Sequence, residues 1–122
     1  MIILNDKNYP YFIVLIVQPK YDDLEFKTLK SNLEYINKRT IKDKCYINLH
    51  VDLYNMETYS SQALSDTISY LNGKSEFSYF NSVKIYMNKN NIGFITRAAL
   101  HLASYTQKIK IELIELDSPK NW

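Results

Sequence analysis

The chain has 122 residues, of which 46% are hydrophobic and 23% are charged, as is typical of a single soluble domain. Its net charge of +2 is small and evenly spread, which argues against a nucleic acid as partner. The single cysteine, Cys45, excludes an intramolecular disulfide and a thiolate zinc cluster, and without a signal-peptide pattern the sequence predicts a cytoplasmic protein.

Two apolar runs at the start of the chain predict a β-hairpin. The first is Ile2–Leu4 and the second is residues 11–17, with turn-forming Asn, Asp and Pro residues between them. The second run is far shorter than the roughly 20 apolar residues that a membrane-spanning helix needs. We therefore expect no membrane insertion.

A first helix is predicted after the hairpin. Asp22 and Glu25 have the spacing of an N-terminal capping box. Apolar residues then recur at intervals of three, four and three, the stripe of an amphipathic helix: Phe26, Leu29, Leu33 and Ile36. We expect the helix to end near Lys38, and the basic segment from Lys38 to Lys44 to form a solvated loop.

Residues 45–54 alternate strictly between apolar odd positions and polar or amphipathic even positions. This is the pattern of a strand with one buried and one solvated face. A parallel strand covered by helices on both faces would be apolar throughout. The sequence therefore predicts a sheet with its helices chiefly on one face, with Cys45 buried as a small hydrophobic residue at the start of this strand.

The second half of the chain repeats the pattern of a strand after a helix. A loop from Tyr54 to Tyr59 leads to Ser60 and Ser61, either of which can cap a second helix that ends at Asn72–Gly73. Strands are predicted at 83–87 and about 109–116, with a third helix between them. We expect Trp122 to dock on the domain, since large aromatic side chains are rarely left in water. The stripes of the two helices are Leu64, Ile68 and Leu71, and Ile92, Ile95, Ala99 and Leu102.

The predicted order β-β-α-β-α-β-α-β gives one α/β domain over residues 1–122, with a mainly parallel mixed sheet of about five strands. This order resembles the STAS and SpoIIAA-like fold of the anti-sigma-factor antagonists. The segment Tyr59–Leu64 is similar to that family's Asp-Ser-Ser-Gly-Leu element, with Tyr in place of Asp and Gln in place of Gly. The resemblance implies a non-enzymatic regulatory protein in which phosphorylation of Ser60 or Ser61 switches partner binding; simple helix capping explains both serines equally well.

Two sets of residues are candidates for binding a protein partner or a second copy of the chain in a homodimer. The loop and helix start supply Tyr54, Asn55, Glu57, Tyr59, Ser60 and Ser61. The uncovered sheet face supplies Tyr46, His50 and Tyr86, residue types that are common at interfaces. A sheet face that is merely solvated, with tyrosines favoured by β-propensity, accounts for the second set as well.

An alternative is a small-ligand or catalytic site at the carboxyl ends of the strands, where open α/β sheets bind ligands. It would use His50, Asp52 and Tyr54 with the loop Asn88–Asn91. No nucleophile lies near these residues in the sequence, and the two histidines fall on separate elements, which does not suggest a metal site. We therefore predict a protein that is not an enzyme and has no cofactor.

Overall fold

The computed structural model of the chain describes residues 2–7, 11–16, 19–73, 79–90 and 110–122. The third predicted helix, with Ile92, Ile95, Ala99 and Leu102, lies outside the described residues, as do the side chains of Leu64, Ile68 and Leu71. The described elements are β1 (Ile2–Asn5), β2 (Tyr11–Ile16), β3 (Lys20–Tyr21), α1 (Asp23–Asp43), β4 (Ile47–Asp52), β5 (Thr58–Tyr59), α2 (Ser61–Gly73), β6 (Phe80–Asn88) and β7 (Lys110–Leu116).

The main sheet has five strands in the order β1-β2-β4-β6-β7. The strands β1 and β2 form the predicted antiparallel hairpin, and every later pair in this sheet is parallel. The predicted mixed, mainly parallel sheet of about five strands is confirmed. Because neighbouring parallel strands end at the same edge, the segments that follow β4, β6 and β7 all emerge at one end of the domain.

The hydrophobic core lies between one face of this sheet and the two described helices. Alternate residues of a strand point to opposite faces, and the odd-numbered residues Ile47, Leu49 and Val51 of β4 are buried in one cluster. That cluster also contains residues of β6, α1 and α2: Val83 and Ile85, Leu29, Leu33 and Ile36, and Ala63. Both described helices therefore cover the same face, as the alternating strand predicted.

Helix α1 begins as predicted but is longer than predicted. Asp22 is its N-cap, and its Oδ1 atom accepts a hydrogen bond from the backbone N–H of Glu25 at 3.2 Å. The prediction of a loop from Lys38 to Lys44 is wrong, because the helix continues to Asp43 and ends where Lys44 adopts left-handed dihedral angles (φ 51°). The stripe continues one turn beyond Ile36 through a fully buried Thr40, a polar residue that an apolar pattern does not show.

The strand β4 starts at Ile47, so the prediction of Cys45 as a buried strand residue is wrong. Cys45 lies between the end of α1 and the strand, where it is half-buried. Its backbone N–H donates to the carbonyl of Thr40 at 3.2 Å. This hydrogen bond makes Cys45 part of the end of the helix. The alternation extends to Cys45 in the sequence, but this hydrogen bond keeps the residue out of the sheet.

A second, two-stranded sheet joins the segments that precede the two helices. The strands β3 and β5 pair in parallel, with Tyr21 opposite Tyr59. Each follows a strand of the main sheet and immediately precedes an N-cap residue, Asp22 or Ser60. The chain thus repeats one unit of strand, short strand, cap and helix, and the repeat sets the starts of α1 and α2 side by side.

Candidate functional site

The segment Tyr54–Ser61, which we call the switch segment, leaves the carboxyl end of β4 in a tight turn. The Oδ1 atom of Asp52 accepts a hydrogen bond from the backbone N–H of Tyr54 at 2.8 Å, an arrangement that favours a turn. The N–H of Met56 then donates to the carbonyl of Leu53 at 3.0 Å. Met56 is buried in the core, so its side chain anchors the middle of the segment.

The second half of the switch segment is fixed to the chain that precedes α1. The backbone N–H groups of Glu57 and Thr58 both donate to the carbonyl of Pro19, at 2.7 and 2.9 Å, and that of Ser60 donates to the carbonyl of Tyr21 at 2.8 Å. Tyr21 is itself buried. The segment predicted as a plain loop is therefore held by main-chain hydrogen bonds along most of its length.

Tyr21 connects this arrangement to the body of α2. The hydroxyl of Thr67 donates to the carbonyl of Ala63 at 2.7 Å, so the hydroxyl of Tyr21, 2.7 Å from Thr67 Oγ1, is the donor in their hydrogen bond. Burial raises the pKa of Tyr21 to about 12, because a buried phenolate would lose its hydration. Tyr21 therefore stays protonated and keeps the small sheet attached to the helix.

The two serines at the start of α2 have different environments. The Oγ atom of Ser60 accepts a hydrogen bond from the N–H of Ala63 at 3.2 Å, so Ser60 is the N-cap. Ser61 is the first helical residue and its side chain is exposed. The first turn of α2 has no acidic residue, so no side-chain carboxylate of that turn offsets the positive end of the helix dipole.

All six predicted residues of the switch segment lie along one stretch of chain at the carboxyl end of the sheet. Asn55, Glu57 and Ser61 are exposed, whereas the other three are half-buried: Tyr54, Tyr59 and Ser60. The structure brings them together on a supported backbone. Of the two predicted phosphate acceptors, Ser61 alone combines full exposure with a hydroxyl that is not the helix cap.

The sheet face opposite the helices carries the second predicted set. Strand register places His50 beside Lys84 of β6, and Asp52 beside Tyr86. The Nδ1 atom of His50 lies 2.9 Å from the hydroxyl of Tyr86, and their rings are stacked with centroids 5.8 Å apart. Burial lowers the pKa of His50, helped by the positive charges of Lys84 and Lys120, so the imidazole is neutral at neutral pH.

This face is not open to solvent along its whole length. Asp52 and Tyr86 are only 2% and 3% exposed, so the prediction that Tyr86 lies on an uncovered part of the sheet face is wrong. The residues that follow β7 cover them: Trp122 contacts Tyr86 and His50, with ring centroids 5.1 and 5.4 Å apart. The predicted docking of Trp122 is confirmed, and its ring is one of the groups that pack on Tyr86.

Tyr46 is not part of this cluster. It precedes β4, is 65% exposed, and packs its ring against Tyr79 at a centroid distance of 5.2 Å. The structure therefore divides the three predicted residues of the sheet face into a covered pair, His50 and Tyr86, and a separate exposed tyrosine.

The residues of the alternative ligand site are engaged in contacts within the chain. Asp52 accepts hydrogen bonds at both carboxylate oxygens, from the Tyr54 N–H and from the Trp122 indole. Asn88 is buried, and its Oδ1 atom accepts from the N–H of Asn90 at 2.9 Å; Asn91 lies outside the described residues. Within the described part of the chain, no group of three or more His, Cys, Asp or Glu residues could hold a metal ion.

The chain is similar over most of its length to a solved structure. It is the crystal structure of an uncharacterised protein of the DUF3478 family with a SpoIIAA-like fold, from Shewanella loihica PV-4. The TM-score is 0.60, and the match covers 96% of this chain and 86% of that chain at 16% sequence identity. The chain has a SpoIIAA-like fold. The resemblance inferred from the sequence is thereby confirmed at the level of topology.

Comparison of the amino-acid sequence with known families and curated proteins found no relative of this chain. No family model matches the chain, and no curated protein matches it. None of the helices within the described ranges is long and apolar enough to cross a membrane. The fold and the geometry of the described residues are therefore the basis for assigning a function.

Sequence reasoning missed two features that shape these surfaces. The small sheet of β3 and β5 has only two residues in each strand, too few to show a period of two. The hydrogen bond from Trp122 to Asp52 joins residues 70 positions apart. Its only signals in the sequence are a lone tryptophan and an aspartate among the polar and aromatic even-numbered positions of residues 45–54.

Proposed function

We propose that this SpoIIAA-like domain is a non-enzymatic, protein-binding regulatory module whose binding surface is the switch segment. The observation that carries the proposal is that the segment has exposed polar side chains on an ordered main chain. The exposed residues are Asn55, Glu57 and Ser61, and the main chain is held by hydrogen bonds to Pro19 and Tyr21. A surface that is already ordered loses little conformational entropy on binding. The SpoIIAA-like fold is consistent with this role, and a cytoplasmic location stays a prediction from the sequence.

Ser61 is the residue at which phosphorylation would act as the switch. A phosphate there would meet the positive dipole of the α2 start, which stabilises added negative charge. Ser60 is less suitable, because its half-buried hydroxyl already caps the helix. The added charge would lie on the same segment as the exposed Glu57 and Asn55 and would change what that segment can bind.

The test is the Ser61→Asp variant, with Ser69→Asp as a matched control. Both serines are exposed on α2 and both changes add one negative charge, but Ser69 lies eight residues further along the helix. Tagged wild-type and variant chains are used to capture partners from the native host, which are quantified by mass spectrometry. We expect the recovery of at least one partner protein to change about tenfold with Ser61→Asp, equivalent to about 1.4 kcal/mol of binding free energy. Ser69→Asp should leave its recovery unchanged.

Circular dichroism of both variants checks that the helices are intact, and Asp at the first position of a helix is favourable in any case. Equal recovery of every partner by wild type and Ser61→Asp would contradict the switch. A partner lost equally from Ser61→Asp and Ser69→Asp would show that charge on α2, rather than the switch segment, decides binding. The exposed Tyr46 offers a separate surface for a partner or a second copy of the chain, and that role stays a prediction.

A further inference from the structure

The residues after β7 lie across the carboxyl end of the sheet face that the described helices leave uncovered. We call residues 117–122 the tail, and the surface that receives it, formed by His50, Asp52 and Tyr86, the tail site. The tail site lies on the opposite face of the sheet from the core cluster, since its residues are the even-numbered positions of β4 and β6.

The tail site contains a buried carboxylate in a fixed orientation. Asp52 is 2% exposed, and its Oδ1 atom is held by the backbone N–H of Tyr54. Its Oδ2 atom accepts a hydrogen bond of 2.6 Å from the indole N–H of Trp122. A buried charged acceptor that loses its donor pays a large desolvation penalty. The site therefore selects for an aromatic group that carries an N–H donor.

The rings around Asp52 add a second requirement. His50 and Tyr86 are stacked and fixed by their own hydrogen bond, and Trp122 meets Tyr86 edge-on at an interplanar angle of 81°. The ammonium group of Lys120 lies 4.9 Å from the Tyr86 ring centroid and 5.0 Å from that of Trp122, within the range of cation–π attraction. The recognised unit is thus a lysine followed two residues later by a tryptophan.

The rest of the tail is held loosely. Residues 117–121 are exposed. Asp117 pairs with Lys89 at 2.6 Å, but the two side chains are 80% and 52% exposed, and such surface pairs contribute little to stability. The tail can therefore leave the site at a cost set mainly by the contacts of Trp122 and Lys120, while the contacts that orient Asp52, His50 and Tyr86 come from the strands and the switch segment.

We propose that the tail site is a peptide-binding site for a Lys-x-Trp segment of a partner protein, and that the tail is its intramolecular occupant and competes with that segment. The hydrogen bond between His50 and Tyr86 and the one from the Tyr54 N–H to Asp52 orient the site without the tail, and the tail shows the chemistry that the site accepts. This proposal does not depend on partner binding at Asn55, Glu57 and Ser61, although the hydroxyl of Tyr54, the first residue of the switch segment, donates to the carbonyl of Asp117 in the tail at 3.5 Å.

The experiment uses the full-length Trp122→Ala variant and an acetylated peptide with the sequence Asp-Ser-Pro-Lys-Asn-Trp. Trp122 is the only tryptophan of the chain, so in this variant all tryptophan fluorescence comes from the peptide. We expect a saturable change in peptide fluorescence on titration with the variant. A peptide labelled with an extrinsic fluorophore should bind the wild-type chain at least about tenfold more weakly, because the tail then occupies the site.

Changes in the peptide test the recognised chemistry without altering the protein. With the same fluorophore, replacement of its Trp by Phe should weaken binding by at least about tenfold, as expected for a hydrogen bond to a charged acceptor. Replacement of its Lys by Gln should weaken binding by about two- to fivefold, since the cation–π contact is partly solvated. Equal affinity for the Trp and Phe peptides would overturn the proposal, as would equal affinity of wild type and Trp122→Ala.

Changes in the protein then locate the site. In the Trp122→Ala background, Asp52→Asn should abolish peptide binding, whereas Asp66→Asn on α2 removes the same charge and should leave binding unchanged. Circular dichroism confirms that each variant is folded; if Asp52→Asn does not fold, the peptide series alone decides. Ser61→Asp in the same background should not affect the peptide. Loss of peptide binding in that variant would place the peptide on the switch segment instead and overturn the tail site.

Discussion

At the scale of single residues, His50 has the most unusual environment on the sheet face. Its ring contacts both Tyr86, whose hydroxyl lies 2.9 Å from Nδ1, and Trp122, and Asp52 lies two residues along the same strand. Burial and the positive charges of Lys84 and Lys120 lower its pKa. The folded protein therefore resists protonation of this imidazole more than the unfolded chain does.

A pH dependence of stability follows from that shift. As pH falls through about 6.5, the unfolded chain binds a proton at His50 that the folded protein does not bind, so the free energy of unfolding decreases. We expect the difference in unfolding free energy between wild type and His50→Gln to shrink or reverse as pH is lowered from about 7.5 to 5.5. Chemical denaturation at several pH values measures it, and a difference that stays constant would contradict the prediction.

The residues of the candidate surfaces could be predicted only in part. The alternation of residues 45–54 correctly placed His50 and Asp52 on the face opposite the core, because the period of a strand is a local property. Their contacts with Trp122 could not be predicted, since Trp122 comes from a distant part of the chain. Local helix chemistry predicts that one of the two serines caps the helix. Only the structure shows that Ser60 is the cap and that Ser61 is exposed.

At the scale of elements, α1 shows how a polar residue can conceal the length of a helix. Ile36 and Thr40 are both completely buried, whereas Ile41 is 46% exposed. The hydroxyl of Thr40 donates to the carbonyl of Asn37 at 2.9 Å, which satisfies it inside the helix. The apolar stripe of the sequence ends at Ile36, so the last turns of α1 were predicted as a loop.

The two isoleucines of α1 allow a matched test of this packing. Ile36→Ala and Ile41→Ala remove the same atoms from the same helix. We expect Ile36→Ala to lower the free energy of unfolding by about 2–5 kcal/mol through cavity formation. Ile41→Ala should change it by less than about 0.5 kcal/mol, since Ala also favours the helix. Urea denaturation measures both values, and similar losses from the two variants would show that Ile41 is buried in solution.

At the scale of the whole molecule, the order of elements was the most predictable property. Each helix follows a strand, and the apolar stripes and alternating strands are local patterns that together specify a sheet with helices on one face. The described elements follow this order with the short strands β3 and β5 added, and the third predicted helix lies outside the described residues. The pairing of β3 with β5 and the path of the tail depend on contacts between distant parts of the chain, which no local period encodes.

The loose attachment of the tail predicts that the protein unfolds in two stages. The tail is attached mainly through Trp122, which is 38% exposed, whereas α1 and α2 pack on the central strands. Local opening of a loosely held segment requires less free energy than global unfolding. We expect the fluorescence of Trp122 to change at a lower urea concentration than the helical circular dichroism signal. Coincident transitions would show that the tail opens only when the whole domain unfolds.

The short sheet of β3 and β5 has a mechanical consequence. The backbone N–H groups of Glu57 and Thr58 donate hydrogen bonds to Pro19, and that of Ser60 donates to Tyr21. The N-cap of each helix comes directly after one of the two strands of this small sheet. A force that a bound protein exerts at residues 55–57 therefore reaches the start of α1 through these hydrogen bonds, as well as the start of α2 through the chain. The two helices should therefore shift together, as one rigid layer sliding over the sheet.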